Sequence, residues 1–431
     1  MIEISSFKSN VTPPLGHPLL HSDHPAIKIR DPLFARGLIF HDGKRKYVIC
    51  VVDFCGILAR LHDEFTRCLA DAVGTRPEYV ALHTVHQHDV PYMTMEREKW
   101  LKRGGLDSQF KRGWWNKMVK DVCTAAKASL NKKRAVAEIG MGTTKVSGLG
   151  ANRRILGRNG KIAGIRWSKC RDPKVKAAPI GLVDPLLRAI TFWDKNDRLL
   201  STISFYTTHP QTADGRGIVS GDTVGESLRL LQKEIPGVFH LYMTGCAGDV
   251  TFGKYTGKDL EKNITQLGGR LFRYMLKAIN QSKKRRQTLL TCRWKNLPVT
   301  LPIDTKRIPK NKLIKSLKDN NVYLGERFGA AGKLGAITHR KSYALNKFNC
   351  LSLNKAKILF LPGEMLLEYQ FFAHKKYRGP LLAVAAYGDL KIGYVPAAEH
   401  FPQGGYEITA SMTSPAAEKI VKKNIEKVLA G

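Results

Sequence analysis

The chain has 431 residues, 43% hydrophobic and 25% charged, a globular composition with enough chain for a sizeable core, which excludes wholesale disorder. Its 71 Lys+Arg against 36 Asp+Glu leave a formal charge of +35, which favours polyanionic encounter partners: nucleic acid, anionic lipid surfaces, or sulfated and carboxylated glycans. No apolar run approaches the ~20 residues of a membrane span; the longest, residues 47–59, is broken by Asp53.

The start, Met1-Ile2-Glu3-Ile4-Ser5, has no basic segment followed by an apolar one. The expectation is therefore a cytoplasmic protein without a signal peptide, a mature secreted chain being the alternative. Residues 47–54 (YVICVVDF) read as a buried strand and residues 62–73 as the helix after it. Residues 79–82 form the next buried strand, and residues 108–130 a long helix with Trp114, Trp115, Met118, Val119 and Val122 on its apolar side. Residues 187–206 read as a hairpin around Asp194-Lys195-Asn196-Asp197. Residues 225–234 and 260–279 are expected to be helical, residues 289–301 to alternate as strands, and residues 356–361 and 381–386 to be short buried strands. Residues 306–347 are the least regular stretch and read as an insertion or a lid. The alternation predicts an α/β fold, a mixed β-sheet core with surrounding helices, in one catalytic domain over residues 1–431. Eight Cys at 50, 55, 68, 123, 170, 246, 292 and 350 lack CxxC spacing and read as buried thiols, not as a disulfide or zinc framework. Basic clusters such as Lys132-Lys133-Arg134 and Lys283-Lys284-Arg285-Arg286 are either polyanion patches or solvated faces.

Sites in α/β folds gather where strands end, and four strand ends carry polar clusters. His83-Thr84-Val85-His86-Gln87-His88-Asp89 follows the strand at Tyr79. Histidines at i and i+2 on an extended segment point the same way and can share a metal. His209-Pro210 ends the strand through Tyr206, ahead of the turn Ser220-Gly221-Asp222. Pro362-Gly363-Glu364 sets a carboxylate just past a strand, where it can close a His/His/Glu site or interact with a helix dipole. Tyr394 and Tyr406 lie near glycine turns, a position that is usually structural. The metallo-β-lactamase HxHxDH pattern fails at Val90, and the amidohydrolase barrels place their HxH on the first strand, unlike this chain.

Taken together these segments resemble the neutral (non-lysosomal) ceramidase family over most of the chain. The matching segments are residues 10–16 with Thr12-Pro13-Pro14, Asp31 to Arg36 with the strand through Asp53, His86 to Pro91, His209-Pro210 with Ser220-Gly221-Asp222, Gly245 to Val250 and Pro362-Gly363-Glu364. The resemblance implies a single zinc held by His86, His209, Glu364 and Tyr394, with His88 as acid/base residue. It also implies Asn152-Arg153 at the substrate site and Tyr406 as a transition-state donor. Asp222 and Asp249 are either partners orienting the ligand histidines or caps. The chain departs from the family in having Asp89 and Val90 beside the second histidine and Ile408 after Tyr406-Glu407, and the expectation is a catalytic domain with no C-terminal Ig-like domain.

The leading expectation is a zinc-dependent amidohydrolase acting on an N-acyl bond. The alternative is the same metal site acting on an anionic or sulfated carbohydrate as deacylase, glycosidase or lyase. A third reading is a basic polyanion-binding protein on an inactive scaffold. The expected partner is a small-molecule, lipid or glycan substrate. There is no nucleic-acid motif or carboxylate cluster for paired metals.

Overall fold

The computed structural model describes residues 1–20 and 25–430. Three mixed sheets carry the fold. The first is built from β1 (Ile2–Asn10), β2 (Phe34–His41), β3 (Lys46–Val52), β4 (Val80–Thr84) and β5 (Arg134–Val136), in spatial order β4-β3-β2-β1-β5. Its pairs are antiparallel except β3 with β4, whose connection runs through helix α1 (Ala59–Val73). The second comprises β6 (Glu138–Lys145), β7 (Leu186–Trp193), β8 (Leu199–Tyr206), β9 (Phe239–Thr244) and β10 (Arg286–Thr288), ordered β9-β8-β7-β6-β10. Here β7 and β8 are the predicted hairpin, and β8 pairs parallel with β9.

The third sheet begins with β11 (Cys292–Thr300), β12 (Leu345–Leu353) and β13 (Ala356–Phe360). After the two-residue β14 (Glu364–Met365) comes β15 (Leu381–Ala385), which completes the third sheet by pairing parallel with β13; β16 (Tyr394–Val395) pairs parallel with β14 in a separate two-stranded sheet. Each sheet thus holds one parallel pair: β3/β4, β8/β9 and β13/β15.

Strand β3 shows why its sequence is continuously apolar. Val48, Cys50 and Val52 face a core with Leu61, Phe65 and Leu69 of α1 and Trp115, Met118 and Val122 of the helix α2 (Arg112–Ser129). Ile49 and Val51 face the opposite core with Ile190, Ile203 and Leu241 of the second sheet. Alternate residues point to opposite faces, so a strand covered on both sides needs apolar residues at every position. Ile264, Leu267, Leu271 and Met275 repeat at three- and four-residue spacing along α4 (Leu260–Ser282), the apolar stripe of a helix against a sheet. With its neighbour α3 (Asp222–Glu234) it covers the second sheet. Trp114, expected on the apolar side of α2, is only partly buried.

Two expectations are corrected. Residues 306–347 are regular: α5 (Lys310–Lys318), α6 (Leu324–Thr338) and α7 (Arg340–Ala344) occupy most of the stretch. Leu317, Phe328, Ala331 and Leu334 there share a small core with Trp100 and Leu101. Glycines and lysines within the helices masked their periodicity. The cysteines are not all thiols either. Cys68 of α1 and Cys123 of α2 form a disulfide, and the other six are free and buried. Helix packing made this pair across 55 residues, a relation that spacing along the chain cannot show. Among the described residues no helix is long and apolar enough to cross a membrane.

Candidate metal centre

The C-terminal ends of the three parallel pairs meet. Beyond β3 lie Asp53, Phe54 and Cys55; beyond β4, His86 and His88; beyond β8, His209; beyond β13, Glu364; beyond β15, Tyr387. Strand ends leave the backbone free to turn, so side chains from separate sheets can aim at one point.

His86, His209 and Glu364 do so. Their side-chain atoms form a triangle: His86 Nε2 lies 3.1 Å from His209 Nε2, and Glu364 Oε2 lies 3.2 and 3.3 Å from those nitrogens. All three are buried. His86 Nδ1 is 2.6 Å from the Cys55 carbonyl, and His209 Nδ1 is 2.6 Å from the Ala247 carbonyl. A carbonyl only accepts, so each Nδ1 carries the proton and each Nε2 presents its lone pair to the carboxylate. Glu364 Oε2 makes no hydrogen bond. Three buried acceptors at this spacing repel unless a cation lies among them, and two imidazole nitrogens with one carboxylate oxygen suit zinc.

Without metal, a proton performs that task. Burial disfavours the charged His86 ring, but the Cys55 and Glu364 side chains outweigh it and raise its pKa to about 10. Burial lowers His209 to about 4. Glu364 is held well below the usual carboxylate range: burial opposes its charge, and the two histidines prevail.

Local backbone explains the convergence. His86 has φ +76°, so the segment after β4 leaves the extended conformation at this residue. The His86 and His88 rings share the site through that left-handed turn, 5.1 Å apart and nearly perpendicular, and not through strand alternation as expected. Glu364 follows Gly363 at φ +67°, where an added Cβ would come within 2.5 Å of Ile392 Cγ2 and 2.7 Å of the Gly393 carbonyl. Only glycine tolerates that turn at that proximity.

His88 sits 5.6 Å from the His209 ring, its Nδ1 3.2 Å from the His86 carbonyl. Tyr394 is the register partner of Glu364 in the β14/β16 pair, and its hydroxyl accepts from Arg153 NH2 at 3.0 Å. Arg153 is buried, with its guanidinium 5.3 to 5.5 Å from the rings of Trp167, Tyr394 and Tyr406. Tyr406 is 40% exposed and forms the lip with Trp167, its ring 5.6 Å from Tyr394. Burial of its hydroxyl end, with Glu364 adding to it, pushes its pKa up to about 12, so the phenol stays protonated at neutral pH.

Asn152 does not face the site with Arg153: its amide donates to Asp249 (2.6 Å) and to the Leu182 carbonyl. Asp249 accepts also from the Leu367 amide, while Asp222 accepts from the Thr212, Ala213 and Thr223 amides. Neither aspartate touches His86 or His209; the carbonyls of Cys55 and Ala247 hold their Nδ1 atoms instead.

No family model matches the chain, and no curated protein matches it by sequence. Several solved chains match, and two of them do so over 99% of this chain and 74% of their own. They are the neutral ceramidase from Pseudomonas aeruginosa (TM-score 0.73, 14% identity) and a ceramidase complexed with C2 (TM-score 0.73, 13% identity). The fold is that of neutral ceramidase.

Within this ceramidase fold, three groups at the site escaped the sequence reading. Tyr387 stacks on His86 with ring centroids 4.3 Å apart, and its hydroxyl is 3.4 Å from His209 Nδ1. It follows β15, so the strand-end rule that found the other groups would have found it. Glu407 accepts from Arg153 Nε and Arg154 NH1, each at 2.6 Å, and is fully buried. Cys55 groups with His86 and His88. Cys55 follows β3, so the strand-end rule marks it too, whereas no local pattern marks Glu407, whose partners come from a distant segment.

Proposed function

We propose that this chain is a zinc-dependent hydrolase of the ceramidase type that cleaves an N-acyl (amide) bond. The observation that carries the reading is the convergence of His86 Nε2, His209 Nε2 and Glu364 Oε2, three buried acceptors that call for a cation. These residues, with Tyr394 beside Glu364, would hold the metal. Zinc, when bound, lowers the pKa of water to about 7 and polarises an acyl oxygen. His88, oriented by the His86 carbonyl, takes a proton from the attacking water and returns it to the departing amine. Arg153 keeps its positive charge beside the acyl oxygen, and Tyr406, protonated up to about 12, donates to that oxygen from the lip. Trp167 and Tyr406 shape the entrance.

The test pairs two measurements: zinc content of the purified protein, and amine release from a short-chain N-acylated sphingoid base. About one zinc per chain, with release abolished by a chelator and restored by zinc, is the expected result. Full release from metal-free protein, or zinc binding without amine release from N-acyl substrates, would overturn the reading. Tyr406→Phe is expected to lower kcat by about 10²- to 10³-fold with zinc content unchanged.

Zinc uptake at pH 7 should release about one proton, because His86, raised to about 10, is protonated in the metal-free cluster and a ligand imidazole is neutral. It follows that uptake weakens as pH falls. Calorimetric titration with zinc in buffers of different ionisation enthalpy reads the proton count; a buffer-independent enthalpy would contradict it.

A further inference from the structure

The end of the first sheet remote from the metal centre holds a second concave site. The turn between β2 and β3, the C-terminal end of α1 with the segment before β4, and the start of β5 enclose a cavity of about 510 Å³. That volume lies in the range of small-molecule sites. Lys44, Arg45, Lys46, Arg76 and Lys133 line it, and Glu3 is the one carboxylate among the lining residues.

Two of these cations have carboxylate partners: Lys133 pairs with Glu3 at 2.8 Å and Arg76 with Glu78 at 3.0 Å. Lys44, Arg45 and Lys46 make no ion pair among the described residues, although Arg45 interacts with the nearby Asp42 carboxylate. The Asp42 carboxylate is held by the turn itself, accepting from the Lys44 and Arg45 amides and from the Tyr47 hydroxyl. Lys46 Nζ donates to the Val73 carbonyl at 2.8 Å, which fixes the ammonium at the end of α1. Tyr79 forms one wall. The Arg76 and Arg45 guanidiniums lie 4.8 and 5.8 Å from its ring centroid, and the ring packs edge-on against Tyr47, which stacks on Trp294.

On a solvated helix face, charges lie along one element and point apart. Here three segments distant in sequence bring cations into one concavity, where their mutual repulsion is relieved by an anion. Guanidinium and ammonium groups favour tetrahedral oxyanions, to which they make charge-assisted hydrogen bonds. We propose that this cavity binds a phosphate or sulfate ester, held by Lys44, Arg45 and Lys46 of the β2–β3 turn together with Arg76 from the segment before β4, at a site separate from the metal centre.

The test is calorimetric titration of the full chain with inorganic pyrophosphate and, separately, with a sulfated disaccharide, at about 0.15 M salt, where diffuse surface attraction is screened. Saturable binding of at least one anion is expected. The double variant K44A/R45A should weaken it by about tenfold or more. K283A/K284A removes the same charge from the exposed turn after α4 and should leave affinity within about twofold. The anion that binds more tightly identifies the ester. Both variants are checked by thermal melting, and Lys44→Ala alone, an exposed turn substitution, replaces the double variant if that does not fold. Absence of saturable binding for both anions, or equal weakening by the two pairs of substitutions, overturns the proposal.

Discussion

His88→Ala is expected to lower kcat by about 10²- to 10⁴-fold while the protein keeps its metal. His209→Ala is expected to lose both metal and turnover. The distinction rests on geometry. His209 Nε2 is a vertex of the acceptor triangle, 3.1 Å from His86 Nε2 and 3.3 Å from Glu364 Oε2, and its Nδ1 is fixed by the Ala247 carbonyl. Removing it takes away one of the two imidazoles and leaves His86 and Glu364 with Tyr394, a set short of the nitrogen ligands of a tight site. His88 lies beside the triangle, 5.1 Å from the His86 ring and 5.6 Å from the His209 ring, and contributes no vertex. Metal analysis and steady-state kinetics on the two variants separate the roles. An active His88→Ala protein, or one that has lost its metal, would rule out the proton-transfer role. A His209→Ala protein with full metal occupancy would rule out the triangle.

The largest effect on stability is expected from Glu407→Ala. Glu407 neutralises two buried arginines at once, through Arg153 Nε and Arg154 NH1, and none of the three side chains is more than 4% exposed. Its replacement leaves both guanidiniums buried against one another without a counter-charge. Breaking such a pair costs about 3–5 kcal/mol, far more than losing an exposed ion pair, because the remaining charge cannot be solvated. Urea denaturation should show that loss as a lower midpoint with an unchanged slope. Glu407→Gln, which keeps an acceptor but not the charge, should fall between the two proteins. Arg153 also donates to Tyr394 and lies among the rings at the site, so the surviving fold of Glu407→Ala should turn over more slowly. A midpoint equal to that of the parent protein would show that the arginines find other partners.

Much of the architecture was legible along the chain. Continuous apolar runs marked β3, β4, β13 and β15, the Asp194–Asp197 turn marked the β7/β8 hairpin, and the three- and four-residue spacing marked α1 and α4. These signals are local, set by which faces of an element are covered. The stretch now seen as α5, α6 and α7 was hidden because glycines and lysines break its apolar spacing, although α6 buries Phe328, Ala331 and Leu334 in a small satellite core. The site followed the same division. Strand-end position picked out His86, His88, His209 and Glu364, since a polar cluster after a buried strand is visible as a break in hydrophobicity. Tyr387 was open to the same argument. Cys55, just past β3, was open to it as well; Glu407 was not, because it acts through arginines 253 and 254 residues away.

By itself, then, the sequence determined the α/β class, the order of most elements and which polar residues stand at strand ends, because these depend on periodicity over a few neighbouring residues. Only the tertiary structure decided that three sheets bring those ends to one point, that His86 turns left-handed to face His209, and that carbonyls rather than aspartates hold the histidines. It also decided that Cys68 meets Cys123 and that five cations from distant segments enclose one cavity. Each of these is a contact between residues far apart in the chain, and its geometry is set by how the sheets and helices pack.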